Sequence, residues 1–129
     1  MSPKGLTFFS GGRCCLTQDC IFCKIINKEI PAEIVYENDS VLVFKDIRPV
    51  APVHLLLIPK KHIPTFFDLE EKDSGIMGDL QLAAGRVARE MGLEKGFRLI
   101  SNCNQDAGQL VFHIHYHLIG GRPLHWPPG

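Results

Sequence analysis

A chain of 129 residues is long enough for one domain with a real hydrophobic core. Its 45% apolar and 22% charged residues are ordinary for a soluble globule, and with a formal net charge of zero nothing suggests a nucleic-acid-binding surface or a basic membrane anchor. No apolar run approaches membrane-spanning length.

Residues 1–17 lack the long apolar core of a secretory signal and hold a few basic but no acidic residues. They read as a disordered tail, with a short organelle-targeting segment as the alternative, leaving 18–129 as the domain. Five cysteines is an odd count: Cys14, Cys15, Cys20 and Cys23 crowd together and Cys103 is remote. That is a poor disulfide framework, so a reducing, cytoplasmic location is expected. The Cys20-x-x-Cys23 spacing suits either a redox pair or half of a zinc site, and the available histidines favour zinc.

Asp19 to Asn27 reads as a short helix with Asp19 as its N-cap and Ile21, Phe22, Ile25 and Ile26 as its apolar stripe. Ile34–Glu37 and Val41–Phe44 read as strands, joined through Asn38-Asp39 into a hairpin. Val53–Ile58 is an almost continuous apolar run, hence a buried strand, with His54 its one polar member. Asp68 to Met91 reads as one long helix, opened by an Asp68/Glu71 capping box and stopped at Gly92. Gly75, Gly78 and Gly85 inside it each cost about 1 kcal/mol against Ala, which suggests close approach to the sheet or to a second subunit. Phe97–Ser101 is a fourth strand, and Asn102–Gln109 a polar loop.

Val111 to Ile119 alternates for nine residues and reads as a strand with His113, His115 and His117 on one face and Ile114, Tyr116 and Leu118 on the other. Half of the chain's six histidines stand in that row, with no packing reason for their strict spacing. A metal site and nucleophilic or acid–base chemistry both fit. Strand residues two apart are about 6.6 Å apart and those four apart about 13 Å. Three such imidazoles can hardly reach one ion at about 2.1 Å, so at least one has another task. After Gly120-Gly121, the tail Arg122–Gly129 carries three prolines and Trp126, and is extended. A Trp in so short a tail is expected to cover something. The elements add up to an α+β domain: an antiparallel sheet of about five strands, one long and one short helix, with the helices to one side.

His113-Ile114-His115-Tyr116-His117-Leu118-Ile119 resembles the signature of the histidine-triad superfamily. Asp46-Ile47, Ala51-Pro52-Val53-His54 and Ile58-Pro59-Lys60-Lys61-His62 are similar to its earlier blocks. Gly120-Gly121-Arg122 and the ending His125-Trp126-Pro127-Pro128-Gly129 resemble the Hint-like, nucleotide-binding branch. The resemblance covers Cys20 to Gly129. It implies a purine nucleoside phosphoramidate hydrolase in which His115 attacks the α-phosphorus and forms a nucleotidyl-histidine. A backbone carbonyl would hold His115, with His54 and His117 around the phosphate. Asp46 matches the acid at the ribose. Ile21, Phe22, Ile25, Phe44, Ile47 and Leu56 match a base slot, and Asn102, Gly108 and Gln109 a phosphate-side loop, where Gly lets backbone N–H groups approach an anion. Leu110 stands where a hydroxyl residue is common in the branch, so only its backbone N–H remains as a donor there.

The resemblance also implies a structural zinc held by Cys20, Cys23, His62 and His113. It implies a homodimer with a sheet continuous across two chains, which would bring the Trp126 tail of one chain near the triad of the other. Partners are thus a purine nucleotide or phosphoramidate and a second copy, with no nucleic acid and no membrane. Two other functions compete: a nucleotide-binding regulatory or scaffold protein with little turnover, and a dinucleoside polyphosphate hydrolase or nucleotidyl transferase of a sister branch. The Trp-Pro-Pro-Gly ending argues against the second. A plain zinc module leaves His115 and His117 unexplained.

Overall fold

The computed structural model describes residues 19–129; the expectations for residues 1–17, including Cys14 and Cys15, lie outside the described residues. In chain order the elements are α1 (Ile21–Ile26), β1 (Ile34–Glu37), β2 (Val41–Lys45), β3 (Val53–Pro59), α2 (Ser74–Glu90), β4 (Phe97–Ile100), α3 (Asn104–Ala107) and β5 (Tyr116–Gly120), with single 3₁₀ turns at Phe66–Asp68 and Glu71–Asp73. The strands form one antiparallel sheet in the order β1-β2-β3-β5-β4. The α+β architecture with a five-stranded sheet is as expected.

The two central apolar runs explain the layering. Leu42 pairs with Ile58, Val43 with Leu57 and Phe44 with Leu56, so alternate residues of β2 and β3 go to opposite faces. Val41, Val43, Leu55, Leu57 and Leu118 pack against Leu80, Ala83, Ala84, Val87 and Ala88 of α2. Leu42, Phe44, Leu56 and Ile58 pack against Cys20, Phe22, Cys23 and Ile25 around α1. The helices therefore cover opposite faces, not one side. A sheet buried on both faces needs nearly continuous apolar strands, as β2 is up to Phe44 and β3 is apart from His54.

Helix starts differ from the sequence reading, for local reasons. Cys20, not Asp19, caps α1: its Sγ accepts from the Cys23 N–H at 3.3 Å. Helix α2 begins at Ser74, because Leu69 and Glu70 are extended and interrupt the run. Asp68 closes a capping box with Thr65 rather than opening one with Glu71, and Asp73 serves the Glu70 N–H at 2.9 Å. A Cβ added at Gly75, Gly78 or Gly85 would meet nothing within 4 Å, so the close approach to the sheet is absent. The loop after β4 contains the short helix α3, which the polar composition concealed.

One ion pair ties the His62 loop to the start of α2. Lys61 Nζ meets Asp73 Oδ1 at 2.5 Å, and Asp73 is only 3% exposed. Burial by itself would raise the Asp73 pKa. The hydrogen bonds from Lys61 and the Glu70 N–H, and the Lys61 and Lys72 charges, outweigh it and hold the carboxyl below its ordinary value. A depressed carboxylate pKa contributes stability that is present above the unfolded-state value and lost as pH falls through the folded one. Asp73→Asn is accordingly expected to cost about 1–3 kcal/mol near neutrality. Urea unfolding at neutral pH should show that loss, and the gap to wild type should close only in acid, below the ordinary aspartate range.

Candidate functional site

The histidine row is not one strand. β5 starts at Tyr116, and Val111 to His115 run outside the ladder. Their backbone groups are taken up locally. The Ile114 N–H donates to the Ile63 carbonyl at 2.7 Å, and the His115 carbonyl accepts from Ser101 Oγ at 2.8 Å. The His113 carbonyl accepts from His115 Nδ1 at 2.8 Å. His113 and His115 are thus placed by hydrogen bonds, whereas His117 is placed by the sheet, opposite Leu56 on β3 and Ile100 on β4. The row divides into a deep part, with His113 fully buried and His115 at 7% exposure, and a half-buried His117.

Backbone partners assign the ring hydrogens, because a carbonyl can only accept and an N–H can only donate. His115 gives its Nδ1 hydrogen to the His113 carbonyl, so its Nε2 keeps a bare lone pair. The Val50 N–H donates to His54 Nδ1 at 3.1 Å, so the hydrogen of His54 is on Nε2. That nitrogen lies 2.9 Å from His117 Nδ1 and 3.4 Å from Asp46 Oδ2. The closer contact makes His117 Nδ1 an acceptor and puts its own hydrogen on Nε2. The result is a directional chain, Val50 to His54 to His117, ending in a donor on a ring whose centroid is 5.2 Å from that of His115. Burial lowers the His115 pKa against the raising effects of the His113 carbonyl and Asp46. Burial, then the neighbouring His115 and His54, lower that of His117 against the pull of Asp46.

Two side-chain clusters have metal-ligand composition among the described residues: Cys20, Cys23, His62 and His113, and Asp46, His54 and His117. A metal-bound imidazole normally donates its other N–H to an acceptor. His113 does so: Nε2 donates to the Pro59 carbonyl at 2.8 Å, leaving Nδ1 bare toward the cysteines. His54 does the reverse, since its second nitrogen accepts from Val50. The first cluster therefore fits a metal and the second fits proton handling.

Distances agree. Tetrahedral bonds of about 2.3 Å to sulfur and about 2.1 Å to nitrogen set S···N edges of about 3.6 Å and N···N edges of about 3.4 Å. Here His113 Nδ1 lies 3.4 Å from Cys20 Sγ and 3.6 Å from Cys23 Sγ. His62 Nδ1 lies 3.3 Å from Cys23 Sγ and 3.2 Å from His113 Nδ1. Burial, seconded by the Cys20 sulfur, drives the Cys23 thiol far above its ordinary pKa, and burial lowers His113 to about 4. A neutral imidazole and thiols crowded out of water are a set that a cation would stabilise. Cys20 and Cys103 are free thiols.

The other sequence candidates divide. Phe22, Ile25, Phe44 and Leu56 are buried, and the Phe22 ring meets Phe44, His113 and His115 edge-on at 5.7, 5.9 and 5.1 Å. Ile21 and Ile47 are exposed, so they form a rim rather than a floor. Asp46 reaches His54, and its other oxygen caps the Arg48 N–H at 2.8 Å. Asn102 is half-buried beside Ser101.

The phosphate-side loop corrects the expectation of an open backbone cradle. The N–H groups of Gly108 and Gln109 are spent on the Gln105 and Asn104 carbonyls, and Gly108 is the left-handed cap of α3. The Gln109 side chain points inward to Asn104, Pro64 and Val111. Of Gly108, Gln109 and Leu110, only the last, which is 90% exposed, keeps an uncommitted N–H. Trp126 is 80% exposed, so nothing within the described chain covers it. Arg122 does tie the tail to the site, donating to the Val50 carbonyl at 3.2 Å. Sequence reasoning missed Val50, Pro59 and Ser101. Ser101 carries a faint signal, a hydroxyl residue where β4 ends, and the two backbone groups carry none.

The family model of the HIT domain matches residues 27–124. A 14 kDa zinc-binding protein of Brassica juncea is 51% identical over 113 residues, covering 86% of this chain and 100% of that protein. The crystal structure of a HIT family hydrolase from Legionella pneumophila Philadelphia 1 is similar with a TM-score of 0.84 and 51% identity, covering 86% of this chain and 100% of that one. A histidine triad nucleotide-binding protein from Candida albicans matches with a TM-score of 0.73 and 30% identity over 84% of this chain and 83% of its own.

The opposed polarity of the two clusters is testable with cobalt(II), which reports tetrahedral thiolate ligation by its absorption. The protein should bind about one equivalent. Cys23→Ser should abolish the signal and Asp46→Asn should leave it unchanged. Loss of the signal in Asp46→Asn would contradict the assignment.

Proposed function

The chain belongs to the HIT domain family, and from that premise we propose that it is a purine nucleoside phosphoramidate hydrolase working through a nucleotidyl-histidine intermediate on His115. The observation that carries the reading is the bonding of the rings: the His113 carbonyl takes His115 Nδ1, which assigns a bare Nε2 to His115, and the Val50 to His54 to His117 chain assigns a donor to the neighbouring ring. His115 Nε2 attacks the α-phosphorus, and the P–N bond breaks as the nitrogen takes a proton from solvent and leaves as the amine. The ring becomes a phospho-imidazolium, and the His113 carbonyl stabilises its positive charge through the Nδ1–H. His117 Nε2–H donates to the phosphate oxygens. Water then attacks phosphorus and gives one proton back to solvent, the bond to Nε2 breaks, the nucleoside monophosphate leaves, and His115 returns neutral. Asp46 is assigned to the ribose. Ile21, Ile25, Phe44, Ile47 and Leu56 are assigned to the base, and the Leu110 N–H to the phosphate side. The nucleotide-binding name of the Candida relative and the hydrolase name of the Legionella relative support this reading.

Zinc is the ion assigned to Cys20, Cys23, His62 and His113. Four nitrogen and sulfur ligands with no open position make it structural. It would pin α1 against the segment that carries His113, and the name of the Brassica relative supports the choice. The assembly proposed is a homodimer. β4 is a sheet edge, and Gly75, Gly78, Leu82 and Gly85 make an uncovered stripe on α2, with Leu82 76% exposed. A partner would also cover Trp126.

His115→Ala should abolish turnover of adenosine phosphoramidate while AMP still binds, since the assigned base and ribose contacts lie elsewhere. His117→Ala should cost about 1.5–3 kcal/mol of activation free energy, one hydrogen bond to a charged group. Near-wild-type turnover by His115→Ala would remove the enzyme reading in favour of a nucleotide-binding role. The acid limb of the rate profile tests His117. Burial and the adjacent His115 and His54 keep it neutral through pH 7, despite Asp46. Protonation would place a hydrogen on Nδ1 and break its bond from His54. Turnover should stay flat around neutrality and fall only below about pH 6.5, the ordinary histidine value. A rate already falling as pH drops from 8 to 7 would contradict this assignment.

A further inference from the structure

We infer that Cys20 and Cys23 are a peroxide-sensitive pair, whose oxidation to a disulfide releases the metal and frees the segment that holds His115. The inference rests on the metal assignment above. Access is asymmetric. A groove of about 430 Å³ is lined by Asp19, Cys20, Ile21, His62, Pro64 and Leu110, together with the two residues that follow. It reaches Cys20 and His62, whereas Cys23 and His113 do not line it, and Cys23 is 1% exposed. An oxidant arriving by the groove meets Cys20 first, with Cys23 behind it as the second thiol. The ligand atoms of the cluster already lie within 4.8 Å of one another, so the two sulfurs are in reach on one turn.

The oxidant is a hydroperoxide, with hydrogen peroxide the simplest. The Cys20 thiolate takes the terminal oxygen as the O–O bond breaks, giving a sulfenic acid and hydroxide. The Cys23 thiolate then attacks the Cys20 sulfur, the S–S bond forms and a second hydroxide leaves. Two protons from solvent turn both hydroxides into water. Two thiolates have been oxidised by two electrons and the peroxide reduced by two. The cluster keeps only His62 and His113, too few to retain a tetrahedral ion.

Two contacts carry the change to the proposed nucleophile. The ring of His113 belongs to the cluster, while its carbonyl holds His115 Nδ1 at 2.8 Å. Phe22, between the two cysteines in sequence, meets His113 and His115 edge-on. Closing the disulfide distorts the turn that carries Phe22 and unties the His113 ring together.

The test uses full-length, zinc-loaded protein with Cys14, Cys15 and Cys103 changed to Ser, so that every thiol counted belongs to the pair. Hydrogen peroxide is added, zinc is read with a chromogenic chelator, and thiols and intact mass are followed. Zinc release in step with loss of both thiols, no added oxygen in the final mass, and zinc recapture after a thiol reductant are expected. Zinc retained with both thiols intact at peroxide levels that oxidise a free thiol standard would overturn the inference, as would release with sulfinic acid instead of a disulfide. Should the triple variant fold poorly, peptide mapping of oxidised wild-type protein decides the matter, by the presence or absence of the Cys20–Cys23 cross-link. Turnover of the oxidised form should fall at least tenfold and return on reduction, and unchanged turnover would overturn the link to His115. A reduced, zinc-loaded protein with no turnover would instead count against the phosphoramidase reading, leaving the zinc and thiol readouts to decide this one.

Discussion

The hydrogen bond from His115 Nδ1 to the carbonyl of His113, 2.8 Å long, constrains everything around it. A ring that reaches back two residues along its own chain cannot belong to a flat strand, so the ladder stops at Tyr116. The backbone groups thereby freed are collected by Ser101 and Ile63, from two other parts of the chain. The same bond decides which nitrogen of His115 is nucleophilic. It also makes the position of His113 matter twice: its carbonyl serves His115 while its ring belongs to the cysteine cluster.

The two ligand-like clusters illustrate how little composition says about chemistry. Each contains two histidines and at least one anionic or thiol group within the same short range. What separates them is a single backbone partner. The Pro59 carbonyl, behind His113, accepts a hydrogen and turns the lone pair toward the cysteines. The Val50 N–H, behind His54, gives a hydrogen and turns a donor toward His117. One ring is thereby fitted for a cation and the other for handing a hydrogen along a chain. Arg122 holds the Val50 carbonyl, so the end of the chain steadies the start of that relay.

The centre of the fold was legible because burial on both faces leaves only one kind of sequence: β2 and β3 are nearly continuous apolar runs and lie within one residue of their predicted bounds. The ligand cluster was legible by resemblance, and its four residues do meet. The errors share a cause. Alternation in 111–119 reported where side chains go near β5, but side-chain-to-backbone bonds displaced the ladder at His113 and His115. Asp68 looked like a helix start, yet Thr65 claimed it, and two 3₁₀ turns shortened α2. Gly108 looked like an anion cradle, yet its N–H closes α3. In each case one local hydrogen bond overrode a pattern, and the partners that matter most, at Val50 and Pro59, are main-chain atoms that no side-chain motif encodes.

The central claim is the assignment of ring hydrogens, and long-range proton–nitrogen correlation of the imidazoles on uniformly ¹⁵N-labelled, metal-loaded protein at neutral pH tests it directly. Single histidine substitutions would assign the signals. His115 should appear with hydrogen on Nδ1 and a bare Nε2, and His54 and His117 with hydrogen on Nε2. A His115 signal with hydrogen on Nε2 would contradict the account, because the nitrogen proposed to attack phosphorus would then have no lone pair to offer.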